Sequence, residues 1–435
     1  MSRQWPASAL WAGLLVAVLL LPACARYARQ AGTMQSHLQA GNLKAASELA
    51  EKQDPAGRDV LASLNKGMLR RMLRQYEASN RIFEKAKKRI DALYGVSISE
   101  QLGAVTVNDS LRQYKGDRYE QVLLHAYMAM NYLELGQPDA ARVEMQQADV
   151  KMREWGEQPD EDPFVRYLSG IIYEMLGEPD QALVAYRQAA KRYADAASKQ
   201  PVAVPRQLKL DLLRLLRAEG LKDEFATTLQ EFELRADDLP QAGRGEGEVV
   251  VILSNGLAPV RAENAIQTFA AEIENMVRIA LPVYRQPKAP LMQARATTPA
   301  ASTHGFETVE DVDALARRAL EDDMPVILAR AIARAVIKHK TQHKAEKKGG
   351  ALAGFLTTVT NLVTEQADTR SWTTLPAEIQ ISRFRLPAGD HTIAIEMQNR
   401  ARHVVDRLQY PISLRPGQTV LLSPHWVAPR PPPPR

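Results

Sequence analysis

From Tyr27 to about Leu239, apolar residues recur at three- and four-residue intervals, and Gly- or Pro-bearing polar breaks interrupt them. That pattern predicts one amphipathic helix after another. It stops at Asp237–Gly247, where three glycines, a proline and alternating charges predict a linker. The run Glu248-Val-Val-Val-Ile-Leu-Ser254 predicts a buried strand, closed by a turn at Asn255-Gly256. Pro282 to Thr303 reads as loop. Asp311 to His343 reads as one or two helices, with Ala314, Leu315, Ala319, Ile327, Ala331 and Ile332 at helical spacing. Beyond Thr374 the period drops towards two. Ile379, Ile381, Phe384 and Leu386 mark a strand, and Pro387-Ala-Gly-Asp390 turns it into Thr392, Ile393 and Ile395. Val404 to Leu414 and Val420 to Val427 predict two more strands, joined by Arg415-Pro-Gly-Gln418.

The helical half carries an internal repeat. Leu135-Gly136-Gln-Pro-Asp-Ala-Ala141 aligns with Leu176-Gly177-Glu-Pro-Asp-Gln-Ala182. Tyr132 and Tyr173 precede these glycines, Ala148 and Ala189 follow them, and Gly170 and Tyr186 occupy two further positions of the second copy. Small residues where paired helices touch, with aromatics around them, form the tetratricopeptide (TPR) pattern. The two glycines lie further apart than the roughly 34 residues of an uninterrupted repeat. The excess falls on Trp155–Asp162, whose Pro159 and acidic cluster predict a loop. Weaker copies lie at Gly67 with Tyr76–Ala86, and at Gly41–Ala46; Lys209–Leu234 would complete or cap the array. One helix pair cannot bury its own apolar face, so neighbouring pairs stack. The expected fold is therefore α plus α/β: a TPR-like α-solenoid over 24–236, a linker over 237–247, and a smaller α+β domain with a mainly antiparallel sheet over 248–427. Residues 428–435 form a Pro-rich tail.

The first 23 residues have the layout of an export signal: Arg3, an apolar run from Ala7 to Leu21, and a small residue before Cys24. The run is short for a membrane span, which takes about 20 apolar residues. Leu21-Pro22-Ala23-Cys24 resembles a lipobox, with Pro22 a less usual occupant, and implies lipidation at Cys24. Cys24 is the single cysteine of the chain, so disulfides do not enter the picture. Ala25 follows the cysteine where Asp would imply inner-membrane retention, so the resemblance implies the periplasmic face of an outer membrane. The net charge of +5 comes from 56 basic and 51 acidic residues, mostly of alternating sign along helices. That is the pattern of solvated faces, with no nucleic-acid footprint.

Candidate chemistry is sparse. Arg118, Glu120, His125 and Asn131 lie in a Tyr-rich segment and read either as the rim of a pocket or as hydrogen-bonded core polars. His339 and His343 have a metal-compatible i, i+4 spacing, but no glutamate follows the first and no third ligand is evident, so no metal is expected. Lys338, Lys340, Lys344, Lys347 and Lys348 surround that pair and precede the apolar stretch Ala351–Val363. This combination fits either contact with anionic lipid headgroups or a helical hairpin with solvated lysines. Asp368, Arg370 and Trp372 form a polar cluster without a base at recognisable spacing, a Gly-x-Ser-x-Gly elbow or a phosphate-binding Gly-Lys-Ser/Thr loop. They read as a structural pair or interface; a hydrolase would need His391 or His403 beside them.

The block Arg118–Gly136 (Arg-Tyr-Glu-x-Val-Leu-Leu-His-x-Tyr-x-Ala-x-Asn-Tyr-Leu-x-Leu-Gly) and the block Ala367–Pro376 (Ala-Asp-Thr-Arg-Ser-Trp-x-x-Leu-Pro) resemble a family of uncharacterised TPR-containing bacterial outer-membrane lipoproteins. The resemblance covers nearly the whole mature chain and brings no catalytic residues and no cofactor. It implies a non-enzymatic envelope adaptor that binds periplasmic proteins through its repeats, in the company of proteins of cell-wall assembly. The alternatives are a protein that binds lipid or the envelope surface through the C-terminal domain, and a cell-wall hydrolase.

Overall fold

The computed structural model describes residues 23–427 apart from 56, 101–112, 156–161, 197–201, 242, 271–274, 286–292, 299–301 and 365. Within its helices and strands, the side chains of 23–29, 94–100, 270, 275, 338 and 341–364 are also outside the description. The export signal, the side chain of Cys24, most of the Trp155–Asp162 loop and the Pro-rich tail therefore lie outside the described residues.

Ten helices run in antiparallel pairs: α1 (Ala23–Gln39) with α2 (Leu43–Gln53), α3 (Val60–Met72) with α4 (Tyr76–Glu100), α5 (Arg118–Glu134) with α6 (Pro138–Glu154), α7 (Pro163–Met175) with α8 (Pro179–Ala196), and α9 (Arg206–Ala218) with α10 (Lys222–Glu231). The first half is a TPR-like helical repeat array. Gly136 and Gly177 close the first helices of two pairs at φ +68° and +73°, the left-handed conformation that glycine adopts without steric cost. Ala141, Ala148, Ala182 and Ala189 are fully buried at the helix contacts, with Tyr132 and Tyr173 partly buried beside them. Gly170 lies under the ring of Tyr186, and Gly67 lies under Phe83 in the same way. In both pairs a missing side chain on the first helix makes room for an aromatic ring on the second.

The second half contains three β layers. The central sheet has the order β10 (Thr419–Leu422), β1 (Glu246–Asn255), β7 (Glu378–Pro387), β6 (Glu307–Asp311), and β11 (His425–Trp426) also pairs with β1. β10 and β11 run parallel to β1, and the other pairings are antiparallel. An outer sheet has the order β5 (Thr303–Gly305), β4 (Gln293–Thr297), β8 (Gly389–Gln398), β9 (Val404–Leu414). A separate hairpin joins β2 (Val260–Ala270) to β3 (Asn275–Arg285).

The two faces of the central sheet explain the layering. Val249, Val251 and Leu253 of β1, with Phe384 and Leu386 of β7, face Ile393, Ile395, Met397 and Ile412 of the outer sheet. The alternate residues Val250, Ile252, Ile379 and Ile381 join the core of the helical array. The continuous apolar run of β1 is thus a strand buried on both sides.

Several expectations are corrected. The helices covering the central sheet belong to the array, whereas the predicted helix after Asp311 packs on the hairpin. That helix, α11, runs unbroken from Val312 to Thr364 with Pro325 inside it. The stretch expected to be loop, Pro282–Thr303, contains the end of β3 and all of β4. The hairpin itself was not foreseen. Val420–Val427 divides at Ser423-Pro424 into two short strands that return to β1.

Replacing Gly170 by Ala would set a Cβ 2.3 Å from the Tyr186 ring. Overpacking of this kind costs about 1–3 kcal/mol. Urea unfolding of Gly170→Ala should show a loss in that range with the fold retained.

Candidate functional site

The first helices of the pairs, α3, α5, α7 and α9, present one face to the central sheet. That face is closed by the chain's own second half. At one end, Arg71 of α3 donates to the Ser423 carbonyl (3.1 Å) and to Asn131 of α5, which in turn donates to Ser79 (2.9 Å) and Asn80 (2.8 Å). Ser423 donates its amide and hydroxyl to Glu134 at 2.6 Å. In the middle, Tyr127 of α5 meets Ser254 of β1 at 3.1 Å. Trp372, 1% exposed, stacks edge-on against both Tyr127 and Phe83.

At the other end Arg383 of β7, fully buried, is surrounded by Glu174 of α7 (3.1 Å), Asp211 of α9 (3.1 Å) and Glu248 of β1. Arg214 braces Glu174 at 2.6 Å, Tyr186 donates to Glu174 at 2.8 Å, and Tyr167 donates to Asp211 at 2.6 Å. Burial works to raise the Glu174 carboxyl, but Arg383 and Arg214 outweigh it and bring it down to about 2.

β6 clasps two helix N-termini from the side. Glu307 accepts the Arg206 amide at the start of α9 (2.8 Å), and Tyr193 donates to the Val309 carbonyl (2.6 Å). Glu310 meets Asp162, the N-cap of α7, and both carboxyls are fully buried and held above the usual range, first by burial and then, for Glu310, by the Asp162 charge.

The two long sequence blocks meet on this interface. Glu120 of α5 accepts the Trp372 amide (2.8 Å), the Asp117 amide (3.1 Å) and the Tyr114 hydroxyl. Burial, reinforced by Asp117, pushes its carboxyl up to about 7. Arg370 chelates Asp368 through Nε (2.9 Å) and Nη2 (2.7 Å) and lies over the Tyr114 ring. Beside them opens a cleft of about 220 Å³. One wall is the Lys115–Asp117 segment, another is Arg261 and Ala280 of the hairpin, a third is α11, and the last is Ala367–Arg370. Arg261 pairs with Asp117 and donates to Tyr284 (2.9 Å).

The other sequence candidates fall elsewhere. His125 lies inside the array on Glu144 (2.8 Å), to which Lys87 also donates (3.0 Å), and burial holds it below its usual value. Arg118 is exposed and stacks on Trp155. His391 is half-buried and bound to the Pro387 carbonyl at 2.7 Å; His403 is exposed in a turn. Neither lines the cleft with Asp368 and Arg370, so the arrangement a hydrolase would need is not assembled. No group of three potential metal ligands occurs among the described residues, and no described helix is long and apolar enough to cross a membrane. Lys340 is exposed; His343, Lys338, Lys344, Lys347 and Lys348 lie outside the described side chains.

Sequence reasoning missed Arg383, Glu174, Asp211 and Glu248. The signal in reach was an arginine inside the otherwise apolar alternation Ile379, Ile381, Arg383, on the face that must be covered.

No family model and no curated protein matches the chain. Among solved structures it is similar to MamA, at 13% identity and TM-score 0.30, over 45% of this chain and 88% of that one. It is also similar to a Podosopora anserina putative kinesin light chain with nearly identical TPR-like repeats, at 15% identity and TM-score 0.33, over 48% of this chain and 93% of that one. Both likenesses span about half the chain.

Two predictions follow from the buried charges. Arg383→Met leaves three carboxylates facing one another, and removing one partner of a buried ion group costs about 3–5 kcal/mol. Guanidinium unfolding should show that loss, with faster proteolysis in the 232–246 connection. The pH profile should be domed. Glu174, lowered from 4.5 to about 2, contributes stability that is lost as pH falls through that window. Glu120, raised from 4.5 to about 7, contributes stability present below 4.5 and lost as pH rises towards 7. Thermal melts from pH 3 to 8 on wild type and Glu120→Gln should show the alkaline limb flattened in the variant.

Proposed function

We propose that this chain is a lipid-anchored, non-catalytic adaptor of the cell envelope, tethered through Cys24 at the periplasmic face of the outer membrane. One observation carries the reading: the inner-helix face, with which arrays of this kind take up peptides, is filled by the chain's own sheet. The array is then a rigid mount that displays the second half. The surface left for a protein partner is the hairpin, which is joined to α11 along one face through Val277, Ile279, Ala331 and Val336. On its opposite face the cross-strand pair Phe269 and Met276 is 59% and 55% exposed. Exposed aromatic and methionine side chains of this kind are enriched at the centres of protein interfaces.

A second reading is favoured by the same pair. Apolar tips beside a helix bearing exposed Arg330 and Lys340 suit an anionic lipid surface, with Lys338, Lys344, Lys347 and Lys348 adding to the charge.

Crosslinking and affinity capture from detergent-solubilised envelopes separates the two, using wild type, Cys24→Ser and Phe269→Ser/Met276→Ser chains. The expected result is a defined protein partner that survives Cys24→Ser and is depleted more than tenfold by the double variant. Capture of lipid and membrane fragments alone would remove the adaptor reading and leave the surface-binding one.

A further inference from the structure

The β2–β3 hairpin leaves one long strand edge open. β2 pairs with β3 in an unbroken register from Val260 opposite Arg285 to Ala270 opposite Asn275, with no bulge to bend it. α11 covers the β3 side: Ile279 and Val277 are buried against it, whereas Ile266 and Thr268, the residues opposite them on β2, are exposed and half-buried. Towards the base of the hairpin, Glu263 accepts the Ala367 amide at 3.1 Å. Beyond it, from Asn264 to Phe269, β2 makes no hydrogen bond other than those to β3 among the described residues.

Strand edges in folded proteins are ordinarily blunted by lysine, proline, a bulge or a charge, because a bare edge pairs with any strand that meets it. Asn264-Ala-Ile-Gln-Thr-Phe269 carries none of these. β9, a long edge of the outer sheet, shows the contrast: Asp406, Arg407 and Pro411 lie along it, and a bulge interrupts its pairing with β8. A two-stranded ribbon is also marginal by itself, and three or more strands form the usual stable unit.

We propose that β2 pairs antiparallel with β2 of a second copy of this chain, giving a four-stranded sheet in the order β3-β2-β2-β3 with both α11 helices on one face. A two-fold axis normal to the sheet sets opposite residues on the same face, so one residue of β2 lies on the axis. That residue is Gln267. Ala265 then meets Phe269 of the second copy, Ile266 meets its Thr268, and no charge meets a like charge. Phe269, 59% exposed in the single chain, gains an apolar neighbour. Moving the axis to Ile266 would instead set Phe269 against the Glu263 carboxylate, which already holds the Ala367 amide. The inference goes beyond the adaptor reading, which concerns capture of a different protein. The pairing is tested on the purified chain alone, so either can fail without the other.

Sedimentation velocity of the detergent-solubilised full-length chain compares wild type with Gln267→Lys, which sets two ammonium groups opposite each other. Arg400→Glu, at an exposed turn outside the hairpin, is the control. Melting curves confirm that each chain is folded. The expected result is a wild-type dimer that Arg400→Glu leaves unchanged and a dissociation constant at least tenfold higher in Gln267→Lys. Mixing Gln267→Lys with Gln267→Glu should restore the dimer. Oxidation reads the register, because opposite residues of an antiparallel pair have Cα atoms about 4.5–5.5 Å apart, within disulfide reach. Cys24→Ser/Gln267→Cys should therefore crosslink to a dimer, and Cys24→Ser/Arg400→Cys should not. A wild-type chain that stays monomeric at the highest concentration reached, a dimer that Gln267→Lys leaves intact, or one that Gln267→Cys fails to crosslink overturns the proposal.

Discussion

Arg383 lies where α7, α9 and β1 come together, and the docking of the second half depends on it. A guanidinium removed from water needs carboxylates in good geometry, and here they come from three segments far apart in the chain. The apolar face of the central sheet supplies the larger share of the stabilisation, at about 1.5–3 kcal/mol for each fully buried Val, Leu or Ile. Hydrophobic burial is non-directional, however, and would tolerate a sheet shifted along the array. The Arg383 cage does not tolerate that shift, because moving β7 by one residue would turn Arg383 to the outer face. The cage sets the register, and the clasp of β6 on the starts of α7 and α9 sets the angle.

The repeats were legible because their code is local. A glycine at the end of a helix, an alanine one turn into the next and a ring over a second glycine are all satisfied within one helix pair, so Gly136, Gly177, Gly170 and Tyr186 announce themselves in sequence. β1 was legible for the complementary reason, since a run of five large apolar residues must be covered on both sides. The β2–β3 hairpin was not. Arg261-Ala-Glu-Asn-Ala-Ile-Gln-Thr-Phe-Ala is rich in helix formers and lacks a strong turn dipeptide, and its strand state is imposed by pairing with β3 and by packing on α11. The extent of α11 was hidden by Gly349-Gly350, which reads as a break.

The candidate site was half legible. The Arg118–Gly136 and Ala367–Pro376 blocks stood out as unusual, and the structure brings them into contact through Glu120 and Trp372. What sequence could not supply was the division of labour among their residues. Glu120, His125 and Asn131 are interior groups held by specific partners, whereas the cleft draws on Lys115, Arg261, Arg330 and Arg334, none of which belongs to either block. Those four come from three separate elements, and only the docked arrangement makes them neighbours.

That dependence couples the cleft to the interface. Its walls come from the segment preceding α5 in the array and from the hairpin, α11 and the Ala367–Arg370 segment of the second half, so it exists only while the two halves are docked. The array face and the sheet face cover each other, and either would be a large apolar surface if parted. Glu120, whose carboxyl receives the Trp372 amide, ties the two halves together at the point where those surfaces meet.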